Sequence, residues 1–203
     1  NQVYAQLEAV REIKKSAVER YFNHIKEQVS TMAINPYVVG AMEDFSPAFF
    51  QTNFDSNRES MASLKEYYEL EFSAKYQEEN SGKKIGAIQL YEKIAPIAKQ
   101  WQNHYIAQNQ NPLGNKHELL KANDGSTYSQ VHESYHPYFK RFLERFGYYD
   151  IFLADIVTGN IVYSVFKELD YATSLLTGPY ANSNIAQAFR RASRLDQLDA
   201  YAI

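Results

Sequence analysis

The residues whose types and spacing most directly suggest chemistry are two histidines and a glutamate in the segment His132-Glu133-Ser134-Tyr135-His136. Histidines four residues apart lie on one face of a helix, so both imidazoles can bind one zinc ion while Glu133 polarises a water molecule. However, Pro137 follows directly and disturbs the turn that must hold the pair rigid. The third histidine and the downstream helical glutamate of longer zinc-peptidase motifs are also absent. A zinc peptidase is therefore kept only as an alternative.

The same histidines also suit a ligand pocket. His132 and His136 share a helix face with Tyr128, and imidazoles and a phenol together hydrogen-bond carboxylates, amides or sugar hydroxyls. The alternative is a helix packed on a sheet with its histidines at the solvent rim. Trp101, the only tryptophan, lies on the apolar face of another predicted helix, where it either packs in the core or forms a pocket wall.

Composition narrows the classes of function. The chain has 203 residues, a net charge of −3 and interspersed basic and acidic residues, which indicates one domain without a nucleic-acid partner. Cysteine is absent, so there is neither a disulfide framework nor a thiolate metal site. No apolar run approaches the roughly 18 residues that span a bilayer, and no signal peptide or nucleotide-binding motif is present. The sequence predicts no cofactor.

The first predicted helix runs from Val3 to about Ala33 and ends at Asn35-Pro36, because the residue before a proline avoids helical angles. This length is large for a compact domain, so we expect part of the helix to protrude or to pair with another chain. A parallel homodimer and packing on its own domain both remain open. Its apolar stripe consists of Leu7, Val10, Ala17, Tyr21, Ile25, Val29 and Met32.

Further helices are predicted from apolar spacing and capping signals. One begins at the capping box Ser56-Asn57-Arg58-Glu59 and ends near Glu79, before a stop at Asn80-Ser81-Gly82. Another covers about 86–107, with Pro96 expected to kink or split it. A polar loop then leads to a helix with Thr127 as its N-cap and its end at Gly147. The last helix follows Asn182 or Ser183 and ends at Arg194.

Two strands are predicted between these last two helices. Tyr148–Ile156 and Asn160–Phe166 are rich in aromatic and β-branched residues and are joined by a turn at Val157-Thr158-Gly159. The predicted fold class is therefore α+β, with helices packed on a small antiparallel sheet.

The run from Gly147 to Tyr180 resembles the Cache sensor domains, extracytoplasmic relatives of PAS domains in bacterial methyl-accepting chemotaxis receptors. The segments 11–15 and 18–22 are similar to the long first helix that leaves the membrane in such receptors. The segment 132–137, which leads to 146–150, resembles the helix that directly precedes the sheet in those domains. The resemblance implies a PAS-like sheet over 127–203, a helical region over 34–126 and a signalling helix over 1–33. It also implies further strands and a returning membrane helix after Ile203, and so a sensor domain truncated at its C-terminus.

In Cache-like sensors the ligand lies between the sheet and the preceding helices, so the resemblance implies contacts from Tyr163, Lys167 and Asp170. Lys167 is then available to a ligand carboxylate and Asp170 to an amine. The alternative is that Lys167 and Glu168 are surface charges worth well under ~1 kcal/mol. The implied function is the periplasmic sensing domain of a transmembrane receptor in the inner membrane. Its expected partners are a small molecule, a second copy of the chain and the receptor's own cytoplasmic signalling module. A dimerisation scaffold without a ligand is the remaining alternative.

Overall fold

The computed structural model describes residues 2–51 and 58–195. In these ranges the chain combines helices with a two-stranded antiparallel sheet, which confirms the predicted mixture of α and β structure. Among the described residues, no helix combines the length and apolarity that crossing a bilayer requires. The helices are α1 Gln2–Ala33, α2 Pro36–Phe50, α3 covering 58–79, α4 Ala87–Lys93, α5 covering 96–107, α6 Thr127–Phe146 and α7 Asn184–Ala192; the strands are β1 Phe152–Ala154 and β2 Ile161–Ser164.

Helix α1 is continuous over 32 residues, or about 48 Å at 1.5 Å per residue, and none of its residues is buried. The described part of the domain contacts α1 near its C-terminal end, where Gln28 accepts a hydrogen bond of 2.6 Å from the Tyr148 hydroxyl. The predicted long helix is therefore confirmed. Its apolar residues over most of its length face away from the described part of the domain. The large ones that are exposed are Val3, Tyr4, Leu7, Val10, Ile13, Val18, Tyr21, Phe22 and Val29.

Helix α2 follows α1 directly and was not assigned from the sequence. The Asn35 side chain caps it by accepting a hydrogen bond of 2.9 Å from the Tyr37 amide, and Pro36 occupies its first turn. Proline suits that position because the first helical N–H groups have no partner in any case. The same two residues thus end α1 and begin α2. The new helix contributes Phe45 and Phe49 to the core, both fully buried.

Helix α3 consists of Arg58–Glu66, a π-helical segment Tyr67–Phe72, and Ser73–Glu79. Ser56 and Asn57 of the predicted capping box lie outside the described residues. The helix ends at Glu79, in agreement with the prediction. Ser81 is left-handed, with a φ of 55°, and directs the Gly82 amide back to the Gln77 carbonyl at 2.8 Å.

The predicted effect of Pro96 is confirmed, since it separates α4 from α5. Helix α5 consists of Pro96–Gln102 and a π-helical segment Asn103–Ala107, which was not predicted.

Helix α6 differs from the prediction at its start. Its N-cap is Ser126, whose hydroxyl accepts from the Ser129 amide, whereas the sequence analysis placed the cap at Thr127. Serine and threonine both cap well, and their order along the chain left a shift of one residue undecided. The helix continues through Pro137 and ends, as expected, at Gly147 in a left-handed conformation.

The two strands are antiparallel as predicted but shorter, with Leu153 opposite Tyr163 and a bulge beside Ala154. The shortening has a clear cause at Asp150. Its carboxylate accepts from the amides of Ile151, Val165 and Phe166 at 2.6, 2.9 and 3.3 Å. The amides of Ile151 and Phe166 therefore bind a side chain, and the Val165 amide is shared between this side chain and the Ile151 carbonyl at 3.3 Å.

Asp155 stabilises the predicted turn between the strands. Its carboxylate accepts from the Thr158 amide at 2.8 Å, and Gly159 adopts a φ of 70°. A Cβ atom on Gly159 would lie 2.8 Å from Leu176 Cγ and 3.0 Å from the Leu176 amide nitrogen. The turn therefore needs glycine for its backbone angle and for its close approach to the chain at Leu176.

This double requirement gives a test of the hairpin. Gly159→Ala should destabilise the domain by at least about 1 kcal/mol more than Gly125→Ala. Gly125 has a similar φ of 69°, but a Cβ there meets no atom within 4 Å, so it isolates the backbone cost. Urea unfolding measures both free energies. Equal losses would show that the hairpin does not pack against Leu176.

Candidate functional site

Five of the seven residues predicted to contact a ligand lie in the core and do not line the 500 Å³ cavity described below, whereas Lys167, which is also buried, lines it. The five are Trp101, Tyr128, His132, His136 and Tyr163, each at most 2% exposed. Trp101 packs on Tyr128 with ring centroids 4.1 Å apart, and its indole nitrogen donates to the Phe49 carbonyl. The Tyr128 hydroxyl donates to the Val162 carbonyl at 2.7 Å, which ties α6 to β2. These contacts describe a packed, hydrogen-bonded interior.

The two histidines are neutral members of this interior. His132 Nδ1 donates to the Leu120 carbonyl at 2.7 Å, and burial together with nearby Lys167 holds the pKa of His132 well below its usual value. His136 Nε2 donates to the His117 carbonyl, so its Nδ1 accepts from the Tyr163 hydroxyl at 2.7 Å. Burial lowers the pKa of His136 to about 3.

The glutamate of the zinc-peptidase pattern does not join the histidines. Glu133 is exposed and pairs with Lys121 at 2.8 Å, while both ring nitrogens of His136 already have hydrogen-bond partners. Across residues 2–51 and 58–195, no three side chains of His, Cys, Asp or Glu type gather in a metal-binding arrangement. This geometry gives the zinc-peptidase alternative no support.

Lys167 lies just after β2 with a left-handed φ of 59° and is 2% exposed. Its ammonium group donates to the Ser164 carbonyl and lies 4.5, 5.4 and 5.7 Å from the ring centroids of Tyr163, Tyr171 and Tyr105. Such cation–π contacts replace part of the lost hydration. Burial nevertheless lowers the pKa of Lys167 to about 7, an effect that Asp150 opposes. Lys167 is thus no surface charge.

A cavity of about 500 Å³ lies beside this segment, between α3, α4, the loop near Lys116 and the chain that follows β2. Lys167 and Asp170 are the two predicted contacts that line it. The remaining lining residues are Tyr67, Phe72, Glu79, Ile85, Leu90, Leu113, Gly114, Lys116, Phe166, Glu168, Leu169 and Tyr180. This volume falls within the range of small-molecule sites.

Asp170 is the least compensated polar group of the cavity. Its Oδ1 is buried and has no hydrogen-bond partner among the described residues. Burial raises the pKa of this carboxyl to about 7, and the charges of Asp150 and Glu168 add to the effect. Two phenols share the cavity wall: burial raises the pKa of Tyr67 and of Tyr180, with contributions from nearby carboxylates.

Lys116 is a cavity residue that the sequence analysis missed. It is 4% exposed, and its ammonium group donates to the Asn109 carbonyl at 2.8 Å and lies 3.9 Å from Glu71. Burial lowers its pKa while Glu71 opposes the shift. Tyr67, Lys116 and Tyr180 come from three distant segments, and no local pattern joins them.

A second cavity, of about 300 Å³, lies between the C-terminal end of α1 and β1. Its wall includes Val29 and Met32 from α1, Tyr148 and Asp150 from the chain before the sheet, and Leu153 from β1. It has only one charged wall residue, Asp150, whose carboxylate is already bonded to main-chain amides. The larger cavity is therefore the better candidate for ligand binding.

Comparisons of the chain with family models, with curated proteins and with solved structures found no match.

The buried Lys167 gives a pH test. In the folded chain its pKa is about 7, whereas an unfolded lysine stays protonated to about pH 10.4. The unfolded state therefore binds more protons between these values, so this residue makes the free energy of unfolding rise from pH 7 to pH 10, by at most about 4 kcal/mol. Lys167→Met should lack this part of the rise.

Urea unfolding at pH 6, 8 and 10 measures the difference between the parent and Lys167→Met. Lys83→Met, which removes one exposed lysine, is the control for the lost charge. The same pH slope in the parent and in Lys167→Met would contradict a buried, deprotonating lysine.

Proposed function

We propose that the chain is the extracytoplasmic ligand-sensing domain of a transmembrane chemotaxis or related signalling receptor, built on a PAS-like sheet of Cache type. The observation that carries the proposal is the cavity at the end of β2. It is lined by Lys167 and Asp170, which follow the strand whose sequence resembles the Cache domains. Binding without transformation is the function this cavity supports best, because the amino groups of Lys167 and Lys116 are both bonded to main-chain carbonyls rather than directed at a ligand.

A contact path supports a relay from the cavity to α1. The cavity wall includes Phe166, whose amide donates to the Asp150 carboxylate, as does the amide of the preceding Val165. Two residues before Asp150, Tyr148 donates to Gln28 of α1. A ligand that prefers one arrangement of the chain after β2 would bias the position of α1 through these bonds. Helix shifts of about 1–2 Å are sufficient for such switches.

The uncovered stripe of α1 supports the dimer and also the scaffold alternative. No part of the described domain buries any α1 residue. Exposed apolar residues at helical spacing are typical of a helix that pairs with another chain. A scaffold without a ligand leaves the cavity near Asp170 unexplained, so sensing accounts for more of the structure.

The proposal is tested by a thermal-shift screen of amino acids, organic acids and amines, with and without zinc. At least one compound should raise the melting temperature of the parent by mass action. Leu90→Trp, which fills the cavity, should remove that rise. Leu70→Trp adds the same ring at a leucine that is 61% exposed and does not line the cavity, and it should bind as the parent does.

Two outcomes of this screen would contradict the proposal. If Leu90→Trp binds the compound as well as Leu70→Trp does, the ligand lies outside this cavity. If zinc alone stabilises the parent and His132→Ala abolishes the effect, the metal-binding alternative is correct.

The dimer is tested by introducing single cysteines into a chain that has none. In a parallel pair, Val10→Cys lies on the apolar stripe and should form an intermolecular disulfide on mild oxidation. Glu12→Cys, on the opposite helix face, should not. Non-reducing electrophoresis measures both products. Equal cross-linking of the two variants would exclude a parallel pairing through this stripe. The absence of a disulfide from Val10→Cys, at concentrations where the chain sediments as a dimer, would exclude it as well.

A further inference from the structure

We propose that the ligand of the 500 Å³ cavity is a protonated amine with an apolar body, held by the carboxylate of Asp170. This inference rests on the proposed function, because it assigns a chemical class to the ligand of the same cavity. It is carried by the charges, the rings and the apolar surface that line the wall.

The wall carries a carboxylate that pairs with no cation among the described residues. The main-chain amides of Asp170 and Tyr171 offset part of its burial, but Asp170 Oδ1 has no hydrogen-bond donor there, and Glu168 lies on the same wall. Glu79, also on this wall, pairs with Lys75 at 3.4 Å. A buried carboxylate without a cationic partner is costly, so a ligand that supplies a cation gains what the protein lacks.

The lysines of the wall do not fill this role. The Lys167 ammonium group bonds the Ser164 carbonyl and lies among three tyrosine rings that are not part of the cavity wall. The Lys116 ammonium group bonds the Asn109 carbonyl at 2.8 Å. Both cations are bound to main-chain oxygens, which disfavours a site built around a ligand carboxylate.

Aromatic rings share the cavity wall with the carboxylate. Tyr67, Tyr180, Phe72 and Phe166 line the same cavity, and aromatic faces attract organic cations once water is excluded. The Tyr180 phenol is close enough to Asp170 that this carboxylate raises its pKa. A carboxylate beside aromatic rings is an arrangement suited to an ammonium group.

The rest of the wall defines the body of the ligand. Ile85, Leu90, Leu113 and Leu169 add aliphatic surface to the wall. Such surface favours a hydrocarbon chain or ring attached to the amine. A diamine or a small polar amine would leave this aliphatic part of the wall without contacts.

Three probes of the same shape test the ligand class: 2-phenylethylamine, 2-phenylethanol and 3-phenylpropionate. Calorimetric titration of the parent at pH 8 should show the amine binding at least tenfold more tightly than the alcohol or the carboxylate. Asp170→Asn should remove that preference. It replaces one carboxylate oxygen by an NH₂ group of similar size and removes a buried charge, so its melting temperature should match or exceed that of the parent. Asp124→Asn changes an aspartate outside the cavity and should keep the preference.

The outcomes separate this inference from the proposed function. If the alcohol or the carboxylate binds as tightly as the amine and Leu90→Trp blocks it, the cavity is a ligand site but the amine class is wrong. If the amine binds equally to Leu90→Trp, both the class and the cavity are overturned. If the amine does not bind the parent at all, the amine class is overturned. The thermal-shift screen with Leu90→Trp then decides whether the cavity is a ligand site.

Discussion

The side chain of Asp150 is the contact on which the rest of the site depends. Its carboxylate binds the amides of Val165 and Phe166 and the hydroxyl of Ser164, whose oxygen in turn accepts from the Lys167 amide. These bonds use donors that would otherwise extend the strand pairing, and the chain then turns at the left-handed Lys167. The turn sends the lysine side chain into the core and brings Asp170 to the cavity wall. A carboxylate that holds several main-chain amides fixes a loop more precisely than packing alone.

Two buried charges lower the stability of the fold near this turn. Lys167 and Asp170 both have pKa values shifted to about 7 by burial, which means that their ionised forms are poorly solvated where they lie. The lysine is partly compensated by carbonyls and tyrosine rings, whereas the carboxylate has only the main-chain amides of Asp170 and Tyr171 and leaves its Oδ1 without a donor among the described residues. Groups held at such a cost are concentrated at functional sites, and the less compensated member of the pair is the one a ligand would complement.

Periodicity and turn chemistry predicted much of the fold. The spacing of α1, the break at Pro96, the stop at Gly147 and the hairpin at Gly159 all follow from local rules, and the structure contains each of them. The strand lengths did not, because the Asp150 bonds that shorten the sheet join residues 15 positions apart. Helix α2 was missed because Pro36 indicates the end of one helix as strongly as the start of another.

The site was harder to predict because imidazoles and phenols serve a core and a pocket equally well. His136 and Tyr163 were expected to contact a ligand, yet they bond each other and hold α6 against β2. Only their positions in three dimensions distinguish these roles. Conversely, Tyr67 and Lys116 carry no local signal, and the fold alone brings them to Asp170.

Hydrogen exchange of the parent with and without a saturating bound compound tests the central claim most directly. The account expects slower exchange of the amides at 67–72 and 166–171, which border the cavity, together with a change near Gln28 at the end of α1. Protection confined to the helix that carries His132 and His136, or no change at 166–171, would contradict a ligand site at the turn that Asp150 holds.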